Sequence, residues 1–169
     1  LRVGLTGNVA SGKSTVLDLF RHWGAAATDA DLLAREAVAL GTPGLAAILK
    51  RFGREVLLPT GALDRDALRH HVMADDTERA ALNAIVHPAV AALMAEREDA
   101  LRRQGRNIVV HDIPLLFEVL NPDDFDAIVL VDAPPALRRE RLRHDRGLSG
   151  ADADALIAAQ QPAEAKRAR

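Results

Sequence analysis

Gly7-Asn8-Val9-Ala10-Ser11-Gly12-Lys13-Ser14 places two glycines, a lysine and a hydroxyl at the G-x-x-x-x-G-K-[ST] spacing. That arrangement is a cradle for a polyphosphate. Glycines let backbone N–H groups converge on phosphate oxygens, the Lys13 ammonium reaches the β- and γ-phosphates, and the Ser14 hydroxyl can join a Mg²⁺ shell. Asn8, Val9, Ala10, Ser11, Gly12, Lys13, Ser14 and Thr15 are therefore candidate contacts for a nucleoside triphosphate. A glycine turn that merely joins strand to helix is the competing reading. Ordinary composition produces such a match in only about one chain in two hundred of this length, and the apolar run Val3-Gly4-Leu5-Thr6 just ahead of it reads as a buried strand.

Other residues must say what receives the phosphate. No Asn-Lys-x-Asp run for reading guanine occurs in the chain, and a long helical stretch follows the second apolar segment, which favours a kinase for a small acceptor. Phosphoryl transfer needs positioning, charge neutralisation and a group that orients or deprotonates the attacking hydroxyl. Asp29-Ala30-Asp31, at the end of the short run Ala25-Ala26-Ala27-Thr28, supplies two carboxylates. Alternate residues of an extended segment point the same way, so both could face the cleft. Asp31 is the expected base, acting with Lys13, and Asp29 stands beside it. Capping of a helix that begins at Leu32 is the structural alternative for either aspartate.

Asp112, after the apolar run Asn107-Ile108-Val109-Val110-His111, either supports Mg²⁺ together with Ser14 or ends the strand and bonds the turn. His87 precedes Pro88, and proline in a first turn is a helix start signal, so His87 is either structural or a group that orients the substrate. The remaining histidines, His22, His70, His71, His111 and His144, have no metal-ligand spacing and receive no role. Arg138, Arg139, Arg141, Arg143 and Arg146 stud one helical run, as a mobile lid or simply as a solvated face.

These groups must be carried by an α/β fold. The expectation is the P-loop NTPase architecture, three layers α/β/α around a parallel sheet, with a helical substrate insertion and a helical lid. Residues 1–30, 105–136 and 161–169 would form the nucleotide-binding core, 31–104 a helical acceptor-binding subdomain and 137–160 the lid. Asn107–His111 and Ala127-Ile128-Val129-Leu130-Val131 read as buried strands, and the chain is expected to end in a charged helix reaching Arg169. A net charge of −2 argues against general nucleic-acid binding. The absence of cysteine removes disulfides and cysteine-bound zinc. With no basic, apolar leader before the first strand and no apolar run of membrane length, a cytoplasmic protein without a membrane partner is expected. A monomer is the first expectation and an oligomer remains open.

Read in order, Leu5-Thr6-Gly7 through Lys13-Ser14-Thr15, Asp29-Ala30-Asp31-Leu32-Leu33-Ala34-Arg35, His87-Pro88, Pro114-Leu115-Leu116-Phe117-Glu118 and Gly147-Leu148-Ser149 with Gln160 closely resemble the dephospho-CoA kinase family. The resemblance implies transfer of the γ-phosphate of ATP to the ribose 3′-hydroxyl of dephospho-CoA, with ATP and Mg²⁺ as cofactors. It implies that Arg141 approaches ATP, and that Asp29, Asp31, Arg35, His87, Pro114 and Leu115 meet the acceptor. Asn8 and Ala10 stand where many family loops have glycine, and Asp145-Arg146 inverts the family's usual order. The family continues past this endpoint into a segment that helps hold adenine, so the adenine pocket of these 169 residues is expected to be incomplete. Rival expectations are a shikimate-kinase-like enzyme and an ATP-binding switch without a small acceptor.

Overall fold

In the computed structural model, which describes residues 1–73 and 75–168, the first strand β1 (Arg2–Gly7) is buried from Val3 onward. Burial on both faces explains its unbroken apolar run, because helices cover both sides of the sheet. With β2 (Ala26–Asp29), β3 (Val109–Asp112) and β4 (Ala127–Val131) it forms a parallel sheet in the order β2-β3-β1-β4. The register sets Leu5 beside Asp112 and Gly7 beside Val131. β3 starts two residues later than its apolar run suggested, since Ile108 is 44% exposed.

Contacts divide the chain into two compact units, residues 1–28 with 101–169, and residues 29–100. The first unit holds the sheet and α1 (Lys13–His22), whose Leu17 packs with Val3, Leu5 and Val110. It also holds α6 (Leu116–Val119), α7 (Pro135–Arg146), α8 (Gly150–Ala158) and α9 (Ala163–Arg167). α9 is the charged helix expected at the chain end; Arg169 lies outside the described residues.

The second unit contains α2 (Ala30–Ala37), α3 (Pro43–Phe52), α4 (Arg65–Met73) and the body of α5 (Asp76–Arg103). Its only β pairing among the described residues is the isolated bridge between Leu57 and Leu63. One expectation fails here: His87-Pro88 does not begin a helix, because Pro88 lies inside the 28-residue α5. An interior proline costs about 3 kcal/mol. Against it stand Leu82, Ile85, Val86, Ala89, Val90 and Leu93, a stripe at i, i+3, i+4 spacing packed on Ile48, Phe52, Val56 and Leu68. Full burial of one such aliphatic side chain is worth about 1.5–3 kcal/mol, so the partly buried stripe outweighs the proline, which sits on the exposed side.

Candidate active site

Three sequence features build the phosphate loop between β1 and α1. Gly7 permits the exit from the sheet, since a Cβ there would lie 2.5 Å from the Val131 carbonyl oxygen. Gly12 stands at the N-cap of α1 with φ 99°, a left-handed conformation suited to glycine, and no side chain caps the helix. The first N–H groups of α1 therefore remain available to an anion. Between the two glycines Ala10 takes φ 58°, the one described non-glycine residue with positive φ. Of Asn8 and Ala10, the backbone demand thus falls on Ala10.

The loop from Gly7 to Thr15 lines a cleft of about 540 Å³ together with Pro114, Arg141, Asp145, Arg146 and Gln160. The Lys13 ammonium pairs with the Asp112 carboxylate, both largely buried. The loop lysine and the carboxylate at the end of the neighbouring strand thus meet beside an uncapped helix N-terminus. Buried Ser11 Oγ has no hydrogen-bond partner among the described residues. Arg141 Nη1 donates to the Ala10 carbonyl at 3.0 Å, while Thr6 Oγ1 donates to the Pro114 carbonyl at 3.1 Å and fixes the turn after β3. A positively charged cradle with spare backbone donors can bind a polyphosphate and orient its terminal group.

A family model for dephospho-CoA kinase matches residues 1–169. The chain is 52% identical to the dephospho-CoA kinase of Anaeromyxobacter dehalogenans, across 99% of this chain and 79% of that one. The solved structure of TT1252 from Thermus thermophilus superimposes with a TM-score of 0.81 at 40% identity, covering 99% of this chain and 83% of the other. This chain belongs to the dephospho-CoA kinase family. The fold is also shared with the dephospho-CoA kinase of Campylobacter jejuni, with a TM-score of 0.64, 22% identity and 94% and 79% of the two chains covered. As a family member the chain is a nucleotide-using phosphotransferase. No described helix is long and apolar enough to cross a membrane.

The two units divide the anticipated dephospho-CoA kinase residues. In the sheet-bearing unit, the structure gathers Asn8 to Thr15, Pro114 and Arg141 around one cleft, with Asp112 on Lys13. Leu115, which precedes α6, is 46% exposed. The helical unit carries Asp29, Asp31, Arg35 and His87. Asp29 closes β2 and caps α2: its Oδ1 accepts from the N–H groups of Asp31 at 2.8 Å and Leu32 at 3.0 Å. The helix thus begins at Ala30 and not at Leu32, and Asp31 belongs to its first turn. Asp29 and Asp31 therefore do not alternate along one extended segment as expected, because only Asp29 is extended. Asp31 and Arg35 are exposed, and His87 is half-buried midway along α5.

Sequence reasoning singled out no role for Arg138, which is 3% exposed while Arg139, Arg143 and Arg146 of the same run are exposed. Its Nε donates to the Val9 carbonyl at 2.9 Å. A three-residue offset from Arg141, one helical turn back on the same face, was the available signal. Burial pulls its guanidinium below the usual arginine range, with the Asp132 carboxylate opposing.

Proposed function

We propose that this chain transfers the γ-phosphate of ATP to the ribose 3′-hydroxyl of dephospho-CoA, giving coenzyme A and ADP. The observation that carries the reading is the Lys13–Asp112 pair beside the uncapped start of α1, in a cleft lined by the whole phosphate loop. The amides of residues 8–15 and the Lys13 ammonium hold the phosphates and balance charge on the transferring group. Arg141, already on the loop's carbonyl, adds a second cation at the cleft.

Asp31 accepts the proton of the attacking hydroxyl as the general base. Its backbone N–H is engaged by Asp29, so the cap fixes its place on α2 and leaves the exposed carboxylate for the acceptor. Arg35, His87, Pro114 and Leu115 orient dephospho-CoA, with residues 31–104 as the acceptor-binding part, 137–160 as the lid and the remainder as the nucleotide core. Ser14 and Asp112 offer a hydroxyl and a carboxylate, hard oxygen donors that fit Mg²⁺ bound by one or two protein ligands plus phosphate oxygens. Bound there, Mg²⁺ supplies further neutralisation of the phosphate charge. The same reading has the protein working as a cytoplasmic monomer, without a nucleic-acid or membrane partner.

A coupled ADP-release assay tests it with dephospho-CoA, with shikimate and with no acceptor, each with and without Mg²⁺. ADP should form with dephospho-CoA and Mg²⁺ together. Release with shikimate but not dephospho-CoA, or acceptor-independent turnover untouched by Asp31→Asn, contradicts the proposal.

A further inference from the structure

Three consecutive loop residues are held from outside. Asn8 Nδ2 donates to the Gln161 carbonyl at 3.0 Å, the Val9 N–H donates to Gln160 Oε1 at 2.7 Å, and the Ala10 carbonyl accepts from Arg141. At Val9 the hold is double, since Arg138 Nε donates to its carbonyl while Arg138 Nη2 reaches Gln160 Oε1 at 3.4 Å. Arg138, Gln160 and the Val9 backbone therefore close a small ring of hydrogen bonds on the polyphosphate cradle.

We propose that Arg138 and Gln160 are positioning residues that set the geometry of the phosphate loop through Val9. The inference rests on the reading that this loop holds ATP. Two features favour it over simple packing. First, a buried guanidinium is costly unless its donors are satisfied, and an apolar side chain would fill the same space on α7 without that cost. Second, Ala10 is left-handed, a conformation unfavourable for any residue with a Cβ. The loop does not hold that shape by local preference, and the contacts flanking Ala10 on Val9, together with Arg141 on its own carbonyl, oppose relaxation. Released from them, the amides would lose their common aim at the phosphate oxygens. Neither residue needs to touch the reacting atoms.

The test uses calorimetric titration with ATP and with inorganic tripolyphosphate, alongside the KM for dephospho-CoA, in Gln160→Leu and Gln160→Glu. Gln160→Leu should raise the Kd for ATP and for tripolyphosphate together by about 10- to 100-fold, the loss expected for a hydrogen-bond pair that includes a charged group. The KM for dephospho-CoA should stay within about threefold and the far-UV circular dichroism should be unchanged. Gln160→Glu keeps an oxygen for both donors but adds a negative charge to the cleft lining. It is therefore compared at high salt, where that repulsion is screened and binding should fall closer to the parent than in Gln160→Leu. ATP and tripolyphosphate binding that remain parent-like overturn the inference. So does weakened ATP binding with tripolyphosphate unaffected, which moves the role to the base or sugar, and so does a parallel loss of ellipticity and acceptor affinity, which marks a structural role. If Gln160→Leu fails to fold, Arg138→Lys carries the same comparison, because it keeps the charge and loses the Nε donor. A parent protein that binds neither ligand sinks the nucleotide reading and this inference with it.

Discussion

At the phosphate loop side chains as well as backbone are held in place: Asn8 Nδ2 donates to the Gln161 carbonyl, Val9 is held at both N–H and carbonyl, and Lys13 rests on Asp112. At the acidic turn that opens α2 the pattern is reversed. The backbone is fixed by the Asp29 cap while the Asp31 side chain stands exposed. An anion cradle works by preorganisation, because donors that need no rearrangement stabilise charge most effectively. A base must instead meet a hydroxyl delivered by the substrate, so only its attachment point needs to be rigid. In the proposed reaction the two regions thus divide the work: one is built in advance, and the other is completed by the acceptor.

Substitutions in each region should break in different ways. The largest effect is expected for Asp31→Asn, with ATP affinity retained and turnover lowered by about 10² to 10⁴, the usual loss for a general base; steady-state kinetics with nucleotide titration separates the two. Lys13→Ala should lower turnover by about 10² to 10³, as for loss of one preorganised electrostatic contact, and should weaken ATP use as well. If both variants weakened ATP binding equally, the division of labour would fail.

Smaller effects sharpen the same contrast through stability. Asp29→Ala removes the α2 cap and should cost about 1 kcal/mol in denaturant melts, whereas Asp29→Asn, still a good cap, should cost a few tenths. Equal losses would mean that the carboxylate charge, rather than the cap, matters there. Ala10→Gly relieves a left-handed residue and should stabilise by about 0.5–1 kcal/mol after the added chain entropy of glycine, read as a modest rise in Tm. A fall in Tm would show that the Ala10 methyl group packs favourably.

Much of this was legible from residue spacing. The phosphate motif, the apolar strand runs and the arginine helix Pro135–Arg146 follow local rules, and each forms the element expected of it, with β3 shifted by two residues at its start. Two misreadings came from competition between a local signal and a neighbour. Pro88 reads as a helix start by itself, yet the apolar stripe of α5 carries the helix through it. Asp-x-Asp reads as an extended pair, yet the first aspartate caps the helix that holds the second. The Arg138 and Gln160 contacts with Val9 were invisible because they join residues 129 and 151 positions apart, across a turn of the fold that no spacing rule encodes.

Following γ-labelled ATP into product reads out the proposed transfer of one phosphoryl group to one hydroxyl. Label should appear as the 3′-phosphate of coenzyme A, only when dephospho-CoA is present, with Asp31→Asn suppressing its appearance but not ATP binding. Label released as inorganic phosphate at the same rate with or without the acceptor, or transferred at the parent rate by Asp31→Asn, would contradict it.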